Sequence, residues 1–291
     1  MKKFHRYCFP VLLLFTGSLV QAQDMPDSTG LPGDNFSLEG ALAMFRKASS
    51  PEEFEKLINT EDNGVNNLDL DGDGNIDYVK VIDKKDGDVH AFVLQVAVSA
   101  TENQDIAVIE LEKNGDENAG LQIVGDEDIY GEQKVVEPSD DDATSYSGLS
   151  AETVHGPYAV PDDRYMPGAV IVNVWLWPAV RFVYAPAYVV WVSPWSWRLH
   201  PVWWHPWRPL RWHAFYPRRV VYATHYRVVT VHRTVRAYRV YRPFRASAVS
   251  VRTHNQASVT RYRTNRTTVI ERPRGNRVKM HRQRSPKRKR H

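Results

Sequence analysis

The strongest constraint on how this chain folds is the separation of its charges into two halves. Residues 24 to 164 carry 33 Asp and Glu against 9 Lys and Arg, whereas residues 166 to 291 carry one acid, Glu271, against 26 Lys and Arg. The net charge of +4 for the whole chain hides this division. Such asymmetry predicts an acidic globular part joined to a basic interaction segment.

The first 22 residues have the pattern of a secretory signal peptide. Basic residues precede an apolar run over residues 9 to 20, which is too short to span a bilayer as a stable helix, and Val20 and Ala22 stand at the cleavage positions before Gln23. The alternative is a buried N-terminal helix. We therefore predict an exported protein that is periplasmic, at the cell surface or secreted. The one cysteine, Cys8, lies within this segment, so the mature chain forms no disulfide.

Shifts in composition divide the remaining chain into five parts. The Arg-rich part has few large aliphatic side chains, so we expect it to be largely disordered. Prolines and polar residues interrupt residues 169 to 192, which argues against a transmembrane helix there. The parts are a flexible N-terminus (23–35), an acidic α+β domain (36–138), an acidic linker (139–165), a Trp/Pro-rich segment (166–217) and the Arg-rich tail (218–291).

The acidic domain begins with two helical patterns and continues with strand patterns. Ser37 is placed to cap the first helix, and Ser50, followed by Pro51 and Glu53, forms a capping box for the second. The apolar period then changes to 2, which predicts strands at residues 78–83, 89–98, 105–113 and 121–124, with a hairpin connection over 84–88. We expect a small α+β fold with an antiparallel sheet of about four strands, covered on one face.

The stretch LDLDGDGNIDYVKV, from residue 68, joins the helices to the strands. Its aspartates occupy positions 1, 3, 5 and 9 of a loop numbered from Asp69, and Gly74 occupies position 6, where a sharp turn favours glycine. Calcium takes six to eight oxygen ligands, which alternate carboxylates in a tight loop supply. The alternative is a polar turn without an ion, because Asp and Gly are common in turns. The candidate Ca²⁺ ligands are Asp69, Asp71, Asp73, Asn75 and Asp77.

This spacing, D-x-D-x-D-G-x-I-D, resembles the first nine positions of an EF-hand loop. Lys80 stands at position 12, where an EF-hand has a bidentate Glu, so a helix–loop–helix pair is not expected. The loop is more similar to the calcium loops that precede strands in integrin-type propeller repeats. That resemblance implies that Asp77 closes a structural calcium site. A single copy is present, so the propeller fold is not implied.

All nine tryptophans lie between residues 175 and 212. Trp interleaved with Arg favours the boundary between water and anionic lipid, and residues 195 to 212 resemble Trp/Pro-rich cationic membrane-active peptides in composition. An alternative partner is the acidic domain of the chain itself. Another alternative is that the tryptophans bind no partner and pack as a small hydrophobic core over residues 168 to 192. Nucleic acid is disfavoured as a partner because the chain is expected to be exported. We predict binding to an anionic membrane surface or cell-wall polymer through Trp195, Trp197, Trp203, Trp204, Trp207, Arg208, Arg211 and Trp212.

No motif for nucleophilic, zinc-dependent or phosphate-binding catalysis is present, and His90 is expected to be structural. The segments LDLDGDG, QDIAVIELEK and LQIVGDEDIYG before a Trp-rich basic C-terminus resemble a group of exported bacterial proteins of unknown function, which implies export and this architecture only. We expect a non-enzymatic envelope protein. One alternative is a regulator in which calcium weakens the association of the acidic and basic halves, and another is an enzyme with an unrecognised site.

Overall fold

A computed structural model describes residues 26–139 and 172–271, with side chains as far as Arg266. The predicted signal peptide, nearly all of the predicted linker and the last 20 residues of the Arg-rich tail lie outside the described residues. The described part is α+β, with a six-stranded antiparallel sheet and seven α-helices. Within it, no helix combines the length and the apolar character needed to cross a membrane.

Both N-terminal helices begin where their caps predict. Helix α1 (Leu38–Lys47) follows Ser37, whose side chain accepts a hydrogen bond from the Gly40 N–H, and α2 (Pro51–Ile58) follows Ser50, which accepts one from Glu53. The capping box differs in one respect. The Glu53 carboxylate accepts the N–H of Ser49, at 2.8 Å, instead of that of Ser50. Short 3₁₀ helices lie at Pro32–Asn35 and Glu61–Asn63.

The sheet contains six strands in sequence order, each antiparallel to the next. Four correspond to the predicted strands, and two more extend the sheet beyond β4. The first hairpin is tighter than predicted, because Lys84 and Lys85 pair with Ala91 and His90, which leaves a two-residue turn with Gly87 at φ +55°. The strands are β1 (Val79–Asp86), β2 (Val89–Ala97), β3 (Asn103–Lys113), β4 (Ala119–Gly125), β5 (Lys134–Pro138) and β6 (Tyr226–Val229).

One face of the sheet forms the main hydrophobic core with α1 and α2. Phe45 contacts Phe54 and Phe92 at ring distances of 5.2 Å. The basic half also enters this core, since Trp177 packs on Phe45 and the helix that follows it, α4 (Pro178–Val183), buries three of its six residues. A short α3 (Glu127–Tyr130) closes the far end of the sheet. The core therefore contains side chains from both halves of the chain.

The other face of the sheet is also covered, contrary to the expectation of a sheet covered on one face. It carries buried polar side chains, which basic residues from the second half contact. Arg227 lies 2.9 Å from the carboxylate of Glu137, and Arg236 lies 2.9 Å from that of Glu112. Helix α6 (Val235–Tyr241) packs on the apolar part of the same face. Of the acids in β3, Glu112 contacts Arg236, Glu110 contacts His232, and Asp105 accepts hydrogen bonds from Gln95 and Tyr241.

The expectation of a largely disordered tail is wrong for residues 218 to 271. They include the end of α5 (Trp212–Val220), strand β6, helix α6 and a long α7 (Val249–Glu271). Composition indicated disorder because this segment cannot bury enough apolar surface by itself. It folds here because the acidic sheet supplies the opposite charges. Arg245, for example, contacts Asp126 at 2.6 Å and Asp128 at 2.8 Å.

Candidate metal centre in the aspartate loop

The aspartate loop, residues 69 to 77, lies between the helical layer and the start of β1. Its two ends are held together, because the Asp77 N–H donates to the Leu68 carbonyl at 2.8 Å. Ile76 is buried and anchors the loop in the protein interior. Its N–H donates to the carbonyl of Trp207 at 2.8 Å. The loop is therefore attached both to the acidic half and to the Trp/Pro-rich segment.

Three carboxylates converge in this loop. Asp69, Asp71 and Asp73 each offer an oxygen, and these oxygens lie within 4.8 Å of one another. The turn that brings them together passes through Gly72 and Gly74, at φ +76° and +84°, a conformation that favours glycine. No other group of three or more metal-binding side chains of this kind occurs in the part of the chain that the structure describes.

The hydrogen bonds of the loop orient these carboxylates without using all of their oxygens. The Gly74 N–H donates to Asp69 Oδ2 at 3.1 Å, and the Asn75 N–H donates to Asp73 Oδ1 at 2.8 Å. Asp69 Oδ1 is buried and has no hydrogen-bond partner among the described residues. Burial, with a smaller contribution from Asp71 and Asp73, raises the pKa of Asp69. An unpartnered carboxylate oxygen beside two like charges fits a site for a hard cation.

The structure does not bring every predicted ligand into this cluster. Asp77 lies outside it and accepts a hydrogen bond from the Leu70 N–H through Oδ2. Burial raises the pKa of Asp77 to about 8. Asn75, whose candidate ligand atom is its backbone carbonyl, lines a cleft together with residues of the Trp/Pro-rich segment and stays a predicted ligand. Lys80, which occupies position 12, donates to Asn103 at 3.0 Å.

The eight predicted surface-binding residues fall into three groups. Trp204 is buried and packs edge-on against Tyr78, with ring centroids 5.1 Å apart. Trp195, Trp197, Trp207 and Trp212 are half-buried, whereas Trp203, Arg208 and Arg211 are exposed. Much of the segment thus packs on the acidic domain, and a smaller part faces solvent.

A buried carboxylate, Glu55, connects the helices, β1 and the Trp/Pro-rich segment, and sequence reasoning missed it. It accepts hydrogen bonds from the Val81 N–H and the Tyr78 hydroxyl at 2.8 Å, and from Ser193 and the Trp191 indole at 3.0 and 3.3 Å. Burial raises its pKa. Its position in the sequence could have indicated burial. Glu55 lies four residues after Pro51 and three residues before Ile58, so a helix places it on the same buried face as these two residues.

His90 forms a buried pair with Asp83, at 2.8 Å, and is fully enclosed. The Tyr188 hydroxyl donates to the same carboxylate oxygen at 2.8 Å, and the ring of Tyr184 packs edge-on against the imidazole. These contacts of Tyr184 and Tyr188 hold the segment after α4 against the edge of the sheet. The other histidines between residues 200 and 232 form no metal-binding group with one another in the described ranges.

Comparisons with protein-family models, with curated proteins and with solved structures gave no match to this chain. The resemblance to exported bacterial proteins, which rests on the sequence segments alone, therefore stays a prediction.

Proposed function

We propose that this chain is a non-enzymatic exported protein that binds Ca²⁺ in the aspartate loop and associates with an anionic surface of the cell envelope. The convergence of Asp69, Asp71 and Asp73, together with the unpartnered Asp69 Oδ1, is the observation that carries this proposal. A hard cation is the ligand that best fits oxygen donors alone. Export and the envelope location rest on the sequence of the first 22 residues.

The calcium ion would serve as a brace between the two halves of the chain. It would neutralise the mutual repulsion of the three aspartates and hold the loop in the conformation that presents Ile76 to Trp207. A mature chain without cysteine gains from such a brace, because no disulfide can take its place. Extracellular calcium sites work at affinities of about 10⁻⁴ to 10⁻³ M.

The surface part of the proposal is supported by the exposed end of the Trp/Pro-rich segment. Val202 is 94% exposed and Trp203 is 43% exposed, and the same segment carries the exposed side chains of Arg208 and Arg211. Apolar side chains beside arginine suit an interface between water and anionic head groups. The face that would meet such a surface is therefore smaller than the eight residues predicted from the sequence.

Titration calorimetry with calcium chloride on residues 23 to 291 tests the metal site. We expect binding heat in the wild type and at least about a tenfold loss of affinity in Asp71→Asn, which keeps the acceptor for the Asp73 N–H but removes a charge. Asp88→Asn, in the turn of the first hairpin, is the matched control and should bind as the wild type does. Equal heats in the wild type and Asp71→Asn would refute the site.

Cosedimentation with vesicles tests the surface association. Vesicles of phosphatidylglycerol and phosphatidylcholine should retain the wild type, and Val202→Ser with Trp203→Ser should bind at least about tenfold more weakly, because two apolar side chains no longer leave water. Val221→Ser removes a comparable exposed side chain elsewhere and serves as the control. Equal binding to vesicles of phosphatidylcholine alone would contradict an anionic partner.

A calcium-dependent regulator is the second candidate, because the loop is bonded directly to the Trp/Pro-rich segment. The contact between Ile76 and Trp207 favours calcium that strengthens the association of the halves, which is opposite to the sign expected from charge alone. Fluorescence transfer between dyes on cysteines introduced at Asp88 and Arg208 reports the distance between the acidic half and the Trp/Pro-rich segment. A distance that does not change with calcium would exclude regulation of this kind.

A further inference from the structure

The segment that follows α4 lies against the outer edge of β1. We call residues 185 to 193 the edge segment. The Asp83 N–H donates to the Trp191 carbonyl at 2.8 Å, and the Ser193 N–H donates to β1 at 3.1 Å. These two bonds flank Val192, so the N–H and C=O of Val192 point away from β1. The edge segment therefore forms the outermost part of the sheet on this side.

An open groove separates the edge segment from the start of α2. Its volume is about 610 Å³. Val189 is 83% exposed on this groove, and Phe182 of α4 is 47% exposed. The apolar part of the wall consists of Pro51, Phe182, Ala185, Ala187, Val189 and Trp191. The groove thus presents apolar side chains to the surroundings of the protein.

The other side of the edge segment is also apolar and exposed. Val192 is paired with Ile82, which packs on the face of the sheet that α6 covers. Because directly paired side chains share a face, Val192 lies on the side opposite to the groove. It is 57% exposed. Contiguous exposed apolar surface marks a site of interaction with a partner.

Two exposed cations accompany this apolar surface. Arg181 precedes Phe182 on α4, and Lys85 of β1 lies 5.9 Å from the ring of Tyr188, which lines the groove. Neither cation forms a salt bridge within the described residues. Among the described residues that line the groove, Glu52 is the one acid. The charge around the edge segment therefore favours an anionic partner.

These features fit lipid better than a protein or a polymer. A second copy of the chain would bring another Arg181 and Lys85 into the same interface. An added strand would lack donors, because Pro186 and Pro194 have no backbone N–H. A cell-wall polymer would leave the apolar walls without a matching surface. A fluid bilayer surface, in contrast, can surround an apolar edge on both of its sides.

The exposed side of α2 connects this edge with Trp203. The Lys56 ammonium lies 5.6 Å from the ring of Trp203, and Glu52, one helical turn earlier, lines the groove. The edge segment and the exposed end of the Trp/Pro-rich segment therefore adjoin the same helix.

From these observations, we propose that the edge segment inserts into the surface of an anionic phospholipid bilayer, with Phe182 and Val189 at the acyl boundary and Arg181 and Lys85 at the phosphate groups. This inference rests on the proposed association with an anionic envelope surface and names lipid as the partner. The insertion is shallow, because the outward backbone groups of Val192 need water or head groups as hydrogen-bond partners.

An environment-sensitive dye on a single introduced cysteine tests the insertion. Residues 23 to 291 contain no cysteine, so Val189→Cys is labelled with nitrobenzoxadiazole at one position. Vesicles of phosphatidylglycerol and phosphatidylcholine should shift the emission of this dye to the blue. A nitroxide near the lipid head group should quench it more than one near the end of the acyl chain. The control is the dye on Val221→Cys, an exposed valine elsewhere, which should show no shift.

Cosedimentation of unlabelled variants tests the same surface. Phe182→Ser with Val189→Ser should bind the anionic vesicles at least about tenfold more weakly. Arg181→Gln with Lys85→Gln should also lose about tenfold or more, because two cations no longer meet phosphate. The charge control is Arg252→Gln with Arg261→Gln, two exposed arginines of α7, and it should bind as the wild type does. Circular dichroism verifies that each variant is folded.

The outcomes separate this inference from the proposed function. Vesicle binding without an emission shift at residue 189 overturns the insertion and leaves the surface association in place. An equal shift with phosphatidylcholine alone overturns the part of the two cations. A shift that grows with protein concentration in the absence of vesicles assigns the edge to a second copy and overturns the lipid partner. A wild type that binds no vesicles overturns both proposals.

Discussion

At the scale of single residues, buried carboxylates explain how two halves of opposite charge form one structure. Within the described residues, Glu55 accepts hydrogen bonds from four neutral donors, two near the start of β1 and two in the Trp/Pro-rich segment. The charged form is solvated by these donors, yet burial still raises its pKa. Glu55 therefore joins α2 to β1 and to the Trp/Pro-rich segment, and its contribution to the free energy of unfolding depends on pH.

In Glu55→Gln, the free energy of unfolding should fall less with rising pH than it does in the wild type. A raised pKa in the folded state means that the folded protein binds the proton more tightly than the unfolded chain does. The free energy of unfolding therefore falls as the pH rises above the ordinary glutamate value toward the raised one. Urea unfolding at about pH 5 and about pH 8 should show a smaller difference in Glu55→Gln than in the wild type.

The matched control for this experiment is Glu52→Gln, an exposed position on the same helix. It should keep the pH dependence of the wild type. Glu55→Gln should also be less stable at the lower pH, because an amide nitrogen cannot accept the hydrogen bonds of Tyr78 or Trp191. A pH dependence that is identical in Glu55→Gln and the wild type would show that this carboxyl does not titrate differently on folding.

At the scale of elements, β6 is attached to the sheet by charge as well as by backbone hydrogen bonds. Glu137 of β5 is almost fully buried and is bonded to Arg227 of β6 and to Gln122 of β4. A buried carboxylate that loses its cation keeps the cost of desolvation. The Glu137–Arg227 ion pair therefore helps to hold β6 on this edge of the sheet.

Arg227→Ala should lower the free energy of unfolding by about 1–3 kcal/mol. The effect should be partly reversed by adding Glu137→Gln, because the single variant leaves the buried Glu137 carboxylate with only the more distant Arg233, at 3.6 Å, as its cation. Chemical denaturation of the two single variants and the double variant measures the coupling energy. Strictly additive losses would show that the pair contributes nothing beyond its separate side chains.

The sequence predicts α1, α2 and β1 to β4 because each has a clear apolar period and its own cap or turn. It does not predict β5 or β6, since KVVEP is short and ends in proline and YRVV lies in an Arg-rich context. Three of the proposed metal ligands follow from their spacing within one loop. The packing of Trp204 on Tyr78 does not follow from the sequence, because the two residues lie 126 positions apart in the chain and no local pattern contains their contact.

At the scale of the whole molecule, the acidic and basic halves share one core. Trp177, Ala179, Val180 and Val183 come from the basic half and are buried with the helices of the acidic half. Truncations of single large core side chains cost about 2–5 kcal/mol each, whereas domains are stable by about 5–15 kcal/mol. The acidic half therefore lacks a substantial part of its core when the rest of the chain is removed.

A chain that ends at residue 139 should be largely unfolded or aggregated at 25 °C. Far- and near-ultraviolet circular dichroism on residues 23 to 139 and residues 23 to 291 compare the two. The longer chain should unfold in one cooperative transition, and the shorter one should lack near-ultraviolet signal. A truncated chain that melts cooperatively at the same temperature as the longer chain would show that the acidic half is an independent domain.

The central claim is that an ion in the aspartate loop stabilises the joined structure, and differential scanning calorimetry on residues 23 to 291 tests it most directly. At about 10 mM calcium, a Kd of about 10⁻⁴ to 10⁻³ M gives about 1.4–2.7 kcal/mol of stabilisation. The melting temperature should rise by about 3–10 °C relative to EDTA, and Asp71→Asn with Asp73→Asn should show no rise. A wild type that melts at the same temperature in calcium and in EDTA would contradict the account.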